Sequence, residues 1–215
     1  MENYRSSSSS YAPYTLIAAM LSLLVCSAAQ TIDGQTNAEF INSDGQTNAD
    51  FIKSSCKVTR YPRVCFDSLS VYANTIQTSP QRLAQAALSV SLASAQSTKT
   101  MMSRLLKGRG MNPREMGALR DCIENIGDSI DEVKKSIEEM SHLSDPDFEF
   151  HKENIQTWVS AALTDEDTCT DGFAGNGMNG NVKSAITSRV VNLSHLTSNA
   201  LALINSLTST QPTSR

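Results

Sequence analysis

Between Asn112 and His142 the apolar residues Met116, Leu119, Ile123, Ile126, Ile130, Val133, Ile137 and Met140 recur at alternating spacings of three and four. That period places them along one stripe of a long amphipathic helix. Its start is well marked, with Asn112 as N-cap, Pro113 at the first helical position, and Glu115 to complete a capping box. Upstream, Ser79-Pro80 opens a similar pattern through Leu83, Ala87, Val90, Ser94, Ser97, Met101 and Leu105. The small side chains on this face predict close helix approach. Gly108 and Gly110 end the pattern, with Gly108 in position for a left-handed C-terminal cap. Downstream, Ser144-Asp145-Pro146-Asp147 repeats the cap signal, and Phe148, Ile155, Trp158 or Val159, Ala162 and Cys169 mark a third helix, with Asp165 as a point of interruption. A fourth, from Asn181 to Leu207, turns Val182, Ile186, Val190, Leu193, Leu196 or Thr197, Ala200, Ile204 and Leu207 inward. Four long helices with short connections predict an all-α, up-and-down four-helix bundle.

Ahead of the bundle, the segment from Asp33 to Ile41 is repeated eleven residues later from Asp44 to Ile52, with Glu39 against Asp50 as the one difference. Two copies are too few for a solenoid, so the repeat predicts a duplicated helix start capped by Thr36 and Thr47. Pro62 then breaks the chain between Cys56 and Cys65, predicting an N-terminal hairpin of two short helices. Residues 1–29 have the form of a secretory signal, with Arg5, an apolar run from Thr15 to Val25, and Ser27, Ala28 and Ala29 before the cleavage point. That run is too short to cross ~30 Å of hydrocarbon as a helix, so no membrane partner is expected after cleavage. The expected division is a signal over 1–29, an extension over 30–50, one domain over 51–208 (hairpin 51–76, bundle 79–208) and a flexible tail over 209–215.

The formal net charge of −4 over 215 residues speaks against a nucleic-acid surface and permits a basic partner. Five cysteines become four once the signal takes Cys26, an even number that predicts two disulfides among Cys56, Cys65, Cys122 and Cys169. Three connectivities are possible, among them a local Cys56–Cys65 pair that leaves Cys122 to join Cys169. His142, His151 and His195 are far apart, and neither CxxC nor HExxH occurs, so no metal site is expected.

Beside the apolar stripe of the Asn112 helix runs a second one, Glu124, Asp128 and Asp131, which projects three carboxylates from one side. Gly175 to Gly180 matches GxGxxG, but no strand precedes it, so it is expected to be a loop and not a phosphate cradle. Asn192-Leu193-Ser194 is a glycosylation sequon, and Ser188, Asn192, His195 and Asn199 fall on a common polar face of the last helix. No serine lies in a GxSxG elbow, no carboxylate pair converges, and no Glu-x-x-His recurs for a di-iron site. The residues alone thus describe a secreted, disulfide-stapled helical bundle with neither catalytic residue nor cofactor.

The cysteine frame and its local motifs resemble the plant invertase and pectin methylesterase inhibitor family. The carrying residues are Cys56-x3-Arg60-Tyr61-Pro62-x2-Cys65-x3-Leu69, Ala118-Leu119-x-Asp121-Cys122-x-Glu124, and Trp158-x-Ser160-Ala161-Ala162-Leu163-Thr164-x4-Cys169-x-Asp171-x-Phe173. They span the chain from about Phe51 to Leu207. The resemblance implies disulfides pairing first with second and third with fourth, and delivery to the cell wall or the vacuole. In the invertase branch a Pro-Lys-Phe segment precedes the third bundle helix; here it reads Pro146-Asp147-Phe148, which reverses the charge offered to a glycosidase cleft. The positions implied to meet pectin methylesterase are matched by Glu124, Asp128, Asp131, Thr168 and Asp171. What the resemblance implies is therefore a secreted apoplastic inhibitor that occludes the pectin-binding cleft of pectin methylesterase in a 1:1 complex. Inhibition of acid invertase and a non-inhibitory structural or signalling bundle are the alternatives.

Overall fold

A computed structural model of the chain describes residues 36–108, 110–174 and 180–208. The expected signal, the tail beyond Thr208 and most of the glycine-rich loop lie outside the described residues. The described chain is helical, with no strand: α1 (Thr36–Ser55), α2 (Pro62–Leu69), α3 (Ala73–Ile76), α4 (Pro80–Leu106), α5 (Pro113–Glu139), α6 (Phe148–Asp171) and α7 (Asn181–Asn205). Short 3-10 turns cover Cys56–Val58, Ser70–Tyr72 and Met140–His142. The chain divides into two compact units, Met1–Phe40 and Ile41–Arg215. In the first, the described residues are the opening turns of α1. The second holds the bundle.

Capping follows the sequence at two of the starts. Ser79 Oγ accepts from the Arg82 N–H, while Asn112 and Glu115 form the full reciprocal box at 2.9 and 3.0 Å. Four other expectations are corrected. α1 runs unbroken through Gly45 and Thr47, so the second copy is not a new start. Asp147 stands at the N-cap of α6 without a side-chain cap bond. The left-handed glycine after α4 is Gly110, at φ 104°, and not Gly108. Asp165 does not interrupt α6, which continues through it.

The four long helices pack in the cyclic order α4, α5, α6, α7, each against two neighbours. The buried stripe of α5 is centred on Leu119, Cys122, Ile126, Ser129, Val133 and Ser136, while Ile123 and Ile137 lie at its edge. α4 is likewise rotated after Ala87: Ser91, Ala95, Thr98 and Met102 face inward, and Val90, Ser94, Ser97 and Met101 do not reach the centre. Small polar residues occupy central positions in both helices, which shifts the apolar pattern by one residue.

The disulfides connect Cys56 to Cys65 and Cys122 to Cys169, with Cα–Cα distances of 5.7 and 4.3 Å. The first closes the turn between α1 and α2; the second ties α5 to α6. The hairpin packs Ile52, Leu69 and Ile76 against Leu83, Leu88, Ile155 and Leu203 of the bundle. It also covers the C-terminal half of α7. Asn199 is consequently buried, 2% exposed, and is not on the polar face with Ser188 and Asn192.

Candidate functional site

α5 and α6 run antiparallel, as three cross-links fix: Cys122 meets Cys169, Ser129 meets Glu166, and Glu139 meets His151 and Asn154. Thr168 of α6 therefore stands level with Glu124 of α5. Glu124, Asp128, Asp131, Thr168 and Asp171 are all exposed. A helix pair tied by a disulfide offers these groups on a preorganised support.

The two flanks of the carboxylate stripe differ. On the α4 side Lys99 lies over α5 at Gly127, where a Cβ would collide with its Nζ. Lys134 Nζ meets Asp131 Oδ1 at 3.0 Å, and its hydrogen bond and charge hold the Asp131 carboxyl below the usual range, with Lys99 adding to the effect. On the α6 side the neighbours are acidic. Burial first, then the negative charges of Asp128 and Glu132, push Asp165 above the ordinary carboxylate range. The stripe thus grades from partly neutralised at Asp131 to crowded with like charge near Asp128 and Asp165.

Charge is segregated on the scale of whole helices. α5 carries eight acidic residues and α6 six, whereas α4 and α7 carry none. Any complementary partner with a basic or donor-rich cleft would therefore meet α5 and α6.

At the far end of α6, Asp147 is exposed and Phe148 buried. Roughly twenty residues of helix, about 30 Å, separate this segment from Thr168 and Asp171. The corner beside it is held by His151 Nδ1 and Asn154 Nδ2 at 2.8 Å from Glu139 Oε1, and these two bonds keep Glu139 below its ordinary range. His142 and His151 stack with ring centroids 5.3 Å apart.

Three features escaped the reading of the sequence. Asp165 belongs to the acidic face, Lys99 reaches that face from α4, and Glu166 lies fully buried. Glu166 was detectable, because it sits four residues after Ala162 and three before Cys169, on the inward stripe of its own helix. Among the described residues no group of three or more His, Cys, Asp and Glu is placed to hold a metal ion. No described helix is long and apolar enough to cross a membrane. The concavity between α3 and α4, lined by Tyr72, Asn74, Thr75, Arg82, Gln85 and Ser89, offers no carboxylate or imidazole as a general base.

Comparison with known proteins adds the decisive observation: the plant invertase/pectin methylesterase inhibitor profile matches residues 50–203. The chain belongs to this family. A 21 kDa protein of Daucus carota is 52% identical over 155 residues, which cover 71% of this chain and 80% of that one. Pectinesterase inhibitor 11 of Arabidopsis thaliana is 51% identical over 156 residues, covering 71% and 77%. The crystal structure of mutant form A of a pectin methylesterase inhibitor from Arabidopsis superposes with a TM-score of 0.60 at 23% identity, over 73% of this chain and 97% of that one. That likeness shows the shared helical-bundle fold.

Proposed function

We propose that this protein is a secreted inhibitor of pectin methylesterase that acts by occlusion, laying the α5–α6 face across the pectin-binding cleft in a 1:1 complex. Glu124, Asp128 and Asp131 supply the carboxylates from α5, with Thr168 and Asp171 beside them on α6. The observation that carries this reading is the segregation of acidic charge, among the four long bundle helices, onto α5 and α6, a disulfide-tied pair that exposes it. The high identity to a protein named as a pectinesterase inhibitor supports the choice of target. A cleft that accepts a polyuronate presents cations or hydrogen-bond donors, and fixed carboxylates can engage these without being turned over.

Asp147 argues against the invertase alternative. It puts a negative charge where the invertase branch has lysine, and it lies at the opposite end of α6 from the acidic face. Delivery to the apoplast and a glycan on the exposed Asn192 belong to the same proposal.

Titration of the purified protein against a pectin methylesterase and an acid invertase tests it. The expected result is loss of the first activity, complete at one equivalent, with the second unaffected. The variant carrying Glu124→Gln, Asp128→Asn and Asp131→Asn should inhibit more weakly with unchanged helicity. Exposed pairs contribute ~0 to 1 kcal/mol each and desolvated ones more. Equal inhibition by the variant and the parent would remove the acidic face from the contact.

A further inference from the structure

The buried apolar residues of the bundle fall into two clusters, with half-buried Leu92 packed against both. One cluster contains Leu83 and Leu88 of α4, Val133 of α5, Ile155, Val159 and Ala162 of α6, and Ala200 and Leu203 of α7. The other contains Ala95 and Met102 of α4, Leu119 and Ile126 of α5, Cys169 of α6, and Ile186 and Leu193 of α7. On every helix a polar residue lies between the two clusters: Ser91 on α4, Ser129 on α5, Glu166 on α6 and Thr197 on α7, each fully buried.

These four side chains form one hydrogen-bonded layer. Ser129 Oγ donates to Glu166 Oε1 at 3.0 Å, and Thr197 Oγ1 donates to the same oxygen at 2.9 Å. Ser91 Oγ lies 2.7 Å from Thr197 Oγ1 and, with the threonine proton already committed, acts as the donor. The second oxygen, Glu166 Oε2, is buried and has no hydrogen-bond partner among the described residues. We propose that Glu166 is a proton-operated latch: as a carboxylic acid it lets the layer that links α4 to α7 close without a buried charge, and as a carboxylate it loosens the bundle there.

The surroundings leave the charged form without compensation. α4, α5 and α7 face Glu166 with hydroxyls, Ser91 through Thr197, then Ser129, Thr197 and Ser194 directly, and none of these titrates. Its charged neighbour is Asp167 on the same helix, which is repulsive. Asp128 and Glu132 of α5 act on the adjacent Asp165. Lys99 of α4 lies over Gly127 and acts on Asp131, and Arg189 of α7 reaches Ser97. A carboxylate with two hydrogen bonds and no cation, set between two apolar clusters, favours its neutral form. Burial accordingly raises Glu166 from 4.5 to about 7, against the lowering effect of the Thr197 and Ser129 hydrogen bonds and of the nearby Ser194 hydroxyl.

The sign follows from proton linkage. Between pH 4.5 and about 7 the folded protein holds a proton that the unfolded chain has released, so stability is full below 4.5 and falls as pH rises through that window. A displacement from 4.5 to about 7 corresponds to up to about 300-fold in the unfolding constant. This inference concerns the core and stands apart from the proposed enzyme contact.

Chemical denaturation from pH 4.5 to 8 of the wild type and of Glu166→Gln, a neutral isostere of the acid form, tests it. The wild-type unfolding constant should rise steeply across the window, by up to about 300-fold from this group. Glu166→Gln should lose most of that rise and be the more stable of the two at pH 8. Parallel pH profiles would overturn the latch. Should the variant not fold, the side-chain carboxyl carbon of Glu166 in the wild type, followed by NMR, decides. A midpoint near 7 supports the latch, and one near 4.5 overturns it.

Discussion

Asn199 on α7 holds both polar ends of Tyr61. Its Oδ1 accepts from the Tyr61 N–H at 3.1 Å and its Nδ2 donates to the Tyr61 carbonyl at 3.0 Å. The same tyrosine stacks its ring on His195, with centroids 3.7 Å apart. One turn of α7 thereby clamps the cysteine-closed hairpin to the bundle. Asn199→Ala leaves the Tyr61 N–H without its partner and the Tyr61 carbonyl with only the Cys65 N–H, and should cost about 1 to 3 kcal/mol. Urea denaturation measures the loss, and a cost under about 0.5 kcal/mol would mean that solvent replaces the clamp.

The Cys122–Cys169 bridge closes a loop with a sequence separation of 47. Replacing both cysteines by alanine should cost about 2 to 5 kcal/mol, because the unfolded chain regains the freedom that the bridge removes. Thermal unfolding of the double variant beside the parent checks this. An unchanged midpoint would mean that the helix pair is held by packing alone.

The phase of α5 can be tested by a pair of substitutions. Ile126→Ala empties a fully buried position and should cost about 2 to 5 kcal/mol, whereas Ile123→Ala, at the partly exposed edge, should cost clearly less. Equal losses would return the stripe to the phase that the apolar residues alone suggest.

Lys134→Met should raise the titration midpoint of the Asp131 carboxyl, since Lys134 is the main cause of its lowered value. The depressed carboxyl contributes stability above its ordinary pKa of 3.8 and loses it as pH falls below that value. Both groups are largely in water, so overall stability should change little. NMR titration of the Asp131 side chain shows the shift, and an unmoved midpoint would mean that Lys99 or the helix itself sets it.

Much of the fold was legible because apolar periodicity and caps are local properties. The Asn112 box, the Ser79-Pro80 start and the inward stripe of α7 rest on residues close together in sequence. The misses share a different cause. Ser91, Ser129 and Glu166 are core residues that a hydrophobic pattern passes over, because their place depends on partners 31 to 106 residues away. Asn199 fell on the polar face of an isolated α7 and became buried when a hairpin 138 residues upstream packed over it. The acidic stripe was visible as spacing. Its extension to Asp165, and its partial neutralisation by Lys99, are products of helix packing and have no local signature.

The segregation of acids onto α5 and α6, with α4 and α7 free of them, gives the molecule a permanent electric moment across the bundle. In the field of a positively charged cleft such a body feels a torque before it touches anything, and it rotates its acidic side forward within a Debye length of ~8 Å at physiological salt. Encounters are thus pre-aligned. Added salt should slow association more than it speeds dissociation, and relocating a carboxylate from α5 to an exposed site on α4 at constant net charge should slow the approach of the partner while leaving the helices themselves undisturbed.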